Sequence, residues 1–154
     1  VAFRAARSEQ EAEELWAVRR GLSSAVAALA PNRIGEDISV PRDAFPEVVR
    51  RIREISEKHG LPIAVYGHAG DGNIHPSILC DLGKPGEEER VHHAVDDIFA
   101  AALAVGGTLS GEHGIGITKR PYIANALGDV GVRTLKAVKA ALDPKGILNP
   151  GKIW

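Results

Sequence analysis

Two short apolar runs, residues 61–66 and 74–79, bracket the stretch Gly67-His68-Ala69-Gly70-Asp71-Gly72-Asn73, and this arrangement constrains the fold more than any other part of the chain. Each run is too short for an amphipathic helix, is rich in aliphatic side chains and ends at turn-forming residues, so each reads as a strand. Paired antiparallel, they make a hairpin. An ordinary hairpin closes with two or three residues, whereas this tip carries three glycines among ionisable groups. Glycine lets a backbone approach a ligand closely, at an entropic cost that a plain turn avoids. Pairing of the two runs sets His68 and His75 beside the tip, where both imidazoles can face one point.

The remaining elements follow from periodicity and punctuation. Residues 1–6 read as the tail of a strand. Ser8 followed by Glu11 is a capping box, and Ala12, Leu15, Trp16, Arg19 and Leu22 continue at helical spacing to about residue 29, before Pro31. Residues 37–41 read as a short strand with Ile38 and Val40 on one face. Asp43 then caps a helix whose apolar stripe is Val48, Val49, Ile52 and Ile55, closed by Gly60. A long helix is expected over residues 87–105, ended by Gly106 and Gly107, and two more over 119–126 and 130–142, before an irregular tail rich in proline and glycine. Helices alternating with hairpin-joined strands predict an α+β fold, with helices on one face of a mostly antiparallel sheet and a C-terminal helical segment.

Composition excludes several classes. With 19 basic and 20 acidic side chains in 154 residues, the chain has no electrostatic footprint for nucleic acid. No apolar run approaches the roughly 20 residues that span a bilayer. Cys80 is the only cysteine, so no internal disulfide forms, and a buried thiol is its expected state. The chain starts at Val1 and contains no methionine, which suggests a portion of a longer polypeptide, read as a single unit.

A second stretch, Ser110-Gly111-Glu112-His113-Gly114-Ile115-Gly116, repeats the grammar of the hairpin tip. Two histidines and one glutamate make a three-ligand set that leaves a coordination position open. A lone histidine is more often a satisfied polar residue than a ligand, so it is the combination that carries the signal. His92 and His93 are adjacent on a helix and point about 100° apart, which argues against a shared ligand and for a solvated face. His59 is expected to complement a helix C-terminus. Lys119 and Arg120 read as a solvated helix start, and Trp16 and Trp154 as packing residues. No GxGxxG opens a helix after a strand, and no GxxxxGK[ST] occurs, which removes the common nucleotide folds.

The three segments GHAGDGNIHP, SGEHGIG and LDPKGILNPGK, in that order, resemble the C-terminal part of FAD-linked oxidases of the vanillyl-alcohol oxidase type. Within that group the resemblance is nearest to the bacterial glycolate oxidase FAD subunit and to D-lactate and D-2-hydroxyglutarate dehydrogenases. It implies a ferredoxin-like cap sheet over a flavin held mostly by a preceding FAD-binding domain that this chain does not contain. It implies that His68, His75 and Glu112 bind a divalent metal, zinc or manganese, and that His113 accepts the proton. Arg19 would bind the substrate carboxylate, helped by Ser23, with Asn73 beside the metal, while Asn149 and Lys152 lie in the segment that returns toward the flavin. The implied activity is oxidation of a 2-hydroxy acid to the keto acid, in the cytoplasm or at the inner membrane through partners that include an electron-accepting iron–sulfur subunit. Relatives acting on larger diacids carry lysine where this chain has Gly35. That departure predicts a small substrate, glycolate or D-lactate, unless Arg33 substitutes. The competing expectation is a free-standing metal-binding module, which a fourth protein ligand closing the metal shell would favour.

Overall fold

A computed structural model describes residues 4–154. The expected strand at residues 1–6 falls partly outside the described residues, and Arg4, Ala5 and Ala6 form no strand. The elements run α1 (Glu9–Ala27), β1 (Asn32–Gly35), β2 (Ile38–Ser39), α2 (Phe45–His59), β3 (Ile63–His68), β4 (Asn73–Cys80), α3 (Glu87–Leu103) and α4 (Ile123–Leu142). The expected α+β architecture with an antiparallel sheet is what is found.

β4 is the centre of the sheet. It pairs antiparallel with β3 on one side and with β1 and β2 on the other. Gly35 lies opposite Ser77 and Ile38 opposite Ile74, so the register runs on without a shift across Glu36 and Asp37. β1 and β2 are therefore one strand interrupted by two acidic residues, and Asp37 falls opposite His75. Tyr66 lies opposite His75 on the other side.

The helices α2 and α3 cover one face of this sheet. Val48, Ile52 and Ile55 of α2 and Val91, Ala94, Val95, Ile98 and Phe99 of α3 pack with Ile38, Ile74 and Ile78 into one buried cluster. Side chains alternate along a strand. Turning Ile74 and Ile78 toward the helices thus sends Asn73, His75 and Ser77 to the opposite face. That alternation is the physical reason why a polar site lies on the central strand at all.

The helix ends show local causes. Ser8 Oγ accepts from Glu11 N at 3.2 Å, but the Glu11 carboxylate reaches Arg7 N rather than Ser8 N, so the capping box closes one residue early. At the end of α2, Gly60 adopts φ 61° and Leu61 N donates to Ser56 O, which closes the helix with a left-handed cap. Asp43, expected to cap α2, accepts only from the adjacent Ala44 N; Ala44 is the N-cap, with no side-chain cap bond, and Pro46 in the first turn needs no partner for an N–H. Gly128, at φ 63° and ψ 174°, breaks α4 between the two helical pieces expected there. His59 does more than face a helix end, since its Nε2 lies 2.7 Å from Asp97 Oδ2 and ties α2 to α3. Trp16 departs from its expected packing role and is 58% exposed, while Trp154 is half-buried beneath the Lys136 ammonium. Cys80 is buried, as expected.

Candidate functional site

After α3 the chain turns at Gly106 and Gly107 and forms an antiparallel bridge from Thr108 to Ser39, the end of β2. This bridge delivers residues 110–113 to the face of the sheet that carries His75. There Asp37 Oδ2 accepts from Ser110 Oγ, Gly111 N, Glu112 N and His113 N at 2.8–2.9 Å. Asp37 is fully buried. Burial pushes its carboxyl pKa up, but the amides of His113 and Glu112 and the Ser110 hydroxyl outweigh it and hold the group at about 2. Gly111 packs tightly on Asn73, because a Cβ built there would lie 2.5 Å from the Asn73 amide and displace it.

The expected ligand set converges. One ligand-type atom from each of His68, His75 and Glu112 lies within 4.8 Å of the others, and among the described residues this group has three members. His75 Nε2 is 3.3 Å from Glu112 Oε1, and His113 Nε2 is 3.9 Å from the same oxygen. The His75 and His113 rings stack at 5.3 Å, and the His68 ring stands edge-on to His75 at 5.5 Å. Two imidazoles and a carboxylate at this spacing suit one divalent ion. Burial holds the His75 pKa below its ordinary value, more strongly than the carboxylates of Asp37 and Glu112 raise it.

These residues line a cavity of about 220 Å³ together with Arg19, Ser23, Arg33, Glu36, Tyr66 and Ser77. Arg19 and Ser23 sit one turn apart on α1 and so share a face. The Arg19 guanidinium lies over the Tyr66 ring, 6.0 Å from its centre. Ser23 is already engaged, since Arg33 Nη1 donates to its Oγ at 2.8 Å and to its carbonyl at 3.0 Å. The Arg33 head covers Gly35, within 3.3 Å of where a Cβ would stand. Asn73 is buried opposite His68 in the hairpin and does not line the cavity. Asn149 and Lys152 are exposed on the tail outside it, although Ile153 N donates to Gly116 O and ties that tail to the loop following His113.

Two residues escaped the sequence reading. Asp37 organises the loop of Glu112 and His113, and the only hint was an acid at the start of an apolar strand. Lys119, expected in solvent, is 5% exposed. Its Nζ donates to Asp37 O at 2.6 Å and to Leu109 O at 2.7 Å, and lies 3.8 Å from Glu36 Oε2. The correction has a physical reason: Lys119 caps a 3-10 turn over Arg120–Tyr122 that leads into α4, but its head turns inward, where two carbonyls and the carboxylates of Glu36 and Asp37 replace water. Burial lowers the Lys119 pKa and raises that of Glu36.

Residues 1–153 match the family described as FAD linked oxidases, C-terminal domain. The chain belongs to that family. This C-terminal oxidase domain is 44% identical over 154 residues to glycolate oxidase subunit GlcD of Bacillus subtilis, covering all of the chain and 33% of that protein. It is 41% identical over 149 residues to GlcD of Escherichia coli strain K12, covering 97% of the chain and 30% of that protein. Against D-lactate dehydrogenase [cytochrome] 1, mitochondrial, of Saccharomyces cerevisiae the identity is 35% over 158 residues, 99% of the chain and 27% of the relative. The domain thus spans about a third or less of these relatives. A solved 4-ethylphenol oxidase from Gulosibacter chungangensis, in complex with isoeugenol, shares the fold with a TM-score of 0.60 at 23% identity, over 96% of the chain and 31% of that structure. No helix among the described residues is long and apolar enough to cross a membrane.

Proposed function

We propose that this chain is the substrate-side portion of an FAD-dependent dehydrogenase of small D-2-hydroxy acids, glycolate or D-lactate. In this reading His68, His75 and Glu112 hold zinc or manganese, and His113 is the proton acceptor. One observation carries it: ligand-type atoms from two distant segments meet within 4.8 Å in a cavity that Arg19 also lines. The three-member set leaves coordination positions open, which favours a catalytic over a closed structural site. The relatives named as glycolate oxidase subunits and D-lactate dehydrogenase support the substrate class.

When bound, FAD supplies the acceptor for the C2 hydrogen with its two electrons, and a divalent ion supplies positive charge that eases loss of the hydroxyl proton. Arg19 pairs with the substrate carboxylate and turns the C2 hydroxyl toward Glu112 and His113. His113 takes the hydroxyl proton at Nε2, and the product is the 2-keto acid. Ser23 acts through Arg33, which it holds above Gly35. FAD is held mainly by a preceding portion of the polypeptide, with Asn149 and Lys152 approaching it and Asn73 beside the metal. The subunit names of two relatives support partner subunits. We place an electron-accepting iron–sulfur protein among them, in the cytoplasm or at the inner membrane.

The test is metal analysis of the intact protein combined with flavin reduction by a panel of 2-hydroxy acids. Bleaching by glycolate or D-lactate, with about one ion per chain, is the expected result. No bleaching by any member overturns the activity. Arg33 lines the cavity beside Arg19 and favours a 2-hydroxy diacid as a second reading, which preference for the diacid in the same panel would establish.

A further inference from the structure

We propose that Asp37 is a positioning residue whose two carboxylate oxygens do separate work: Oδ2 clamps the loop bearing Glu112 and His113, and Oδ1 selects the tautomer of His75 that leaves Nε2 unprotonated toward Glu112. The inference deepens the metal reading of the same site. Its basis is a mismatch in the hydrogen bonding. Among the described residues Asp37 Oδ2 takes four donors, whereas Oδ1 takes none. His75 Nδ1 likewise has no hydrogen-bond partner among the described residues, and it lies 3.6 Å from Asp37 Oδ1. Both atoms are buried, and a buried polar atom left unpaired is costly.

A single proton on Nδ1 satisfies both atoms after a closure of a few tenths of an ångström. A neutral imidazole carries one N–H, so a proton on Nδ1 leaves a lone pair on Nε2. That lone pair then faces Glu112 Oε1 at 3.3 Å, acceptor against acceptor. Such a pair repels unless a cation lies between its members, which is the arrangement a metal ligand set requires. Hydrogen bonding to the far nitrogen is how a carboxylate orients a ligating histidine. The unbroken register across residues 36 and 37 fixes the pairing, because it places Asp37 directly across from His75. The same carboxylate therefore aligns ligands from β4 and from the loop at 110–113.

The substitution Asp37→Asn separates the two roles. The amide oxygen must stay on the four donors, since an NH2 there would meet N–H and O–H groups. The NH2 then faces His75 Nδ1, donates to it, and drives the ring proton to Nε2. The experiment uses the intact protein labelled with 15N-histidine, stripped of metal and held at about pH 8, where histidine is mostly neutral. The expected spectrum shows Nδ1–H for His75 in the wild type and Nε2–H in Asp37→Asn, whose zinc affinity falls roughly 10–100-fold. Ser110→Ala removes one donor from Oδ2 and nothing from Oδ1, so it keeps the wild-type tautomer. Nε2–H in the wild type overturns the proposal, and that spectrum decides even if Asp37→Asn does not fold. An unchanged tautomer in a folded Asp37→Asn also overturns it. Absence of zinc binding in a wild type that shows Nδ1–H would strike down the metal reading of the site while supporting the role of Asp37.

Discussion

Lys119 shows how much a single side chain can weigh when it is buried. Its ammonium joins Asp37 O to Leu109 O beside the Glu36 carboxylate, so it ties the strand interruption to the start of the loop at 110–113. Lys119→Met keeps the stem but leaves Glu36 buried without its cation. We expect a loss of about 3–5 kcal/mol in urea unfolding, the usual result of removing one partner from a buried pair. A loss below about 1 kcal/mol would mean that the pair contributes little. His113 is a contrasting case, exposed and without a hydrogen bond from its ring among the described residues, so its removal should leave stability nearly unchanged. His113→Ala is expected to lower kcat by roughly 100-fold or more with metal content retained. Wild-type turnover in that variant would remove its role as proton acceptor.

At the scale of elements, the apolar contact between α2 and α3 is reinforced at its edge by Asp97, which receives both His59 and Lys58 at 2.7 Å. These donors hold its carboxyl below the usual carboxylate range. Ionised Asp97 stabilises the folded chain above the unfolded carboxylate pKa of about 3.9, and the contribution is lost as pH falls through the lower folded value. Asp97→Asn should therefore cost roughly 0.5–1 kcal/mol near neutral pH, and its difference from wild type should shrink as urea midpoints are followed toward about pH 2. A difference that grows in acid would contradict this sign. The hairpin tip depends on Gly72, at φ 73° with no room for a Cβ against Val40 O. Gly72→Ala should destabilise by about 1–3 kcal/mol and loosen the tip between His68 and His75. The elements with dense apolar patterns, α2, α3 and the hairpin, were legible in the sequence. β1 was not, because Asn32-Arg33-Ile34-Gly35 holds one large apolar side chain, and only pairing to β4 makes it a strand.

Over the whole molecule the apolar surface is uneven. Leu135, Val138 and Leu142 of α4 and Ile147 and Leu148 beyond it are all exposed, from 43% to 77%. Contiguous exposed apolar surface promotes association. The 154-residue chain made alone should therefore self-associate in sedimentation, and Val138→Glu combined with Leu142→Lys should shift it toward the monomer. A monomeric wild-type chain at high concentration would contradict this expectation. The α2–α3 side of the sheet forms a closed core, so these substitutions should leave the unfolding free energy within about 0.5 kcal/mol of wild type.

The sequence by itself determined the α+β class, the hairpin, and the identity of the convergent residues, because periodicity, glycine spacing and residue chemistry are local properties. It also carried the family resemblance in three short segments. Only the tertiary structure decided that Asp37 lies under the loop at 110–113, that Lys119 is buried, and that Ser23 is engaged by Arg33. Those facts depend on strand register and on contacts between residues far apart in the chain, such as Lys119 and Asp37, 82 positions apart. A side chain's solvation is set by what folds over it, which no local pattern encodes.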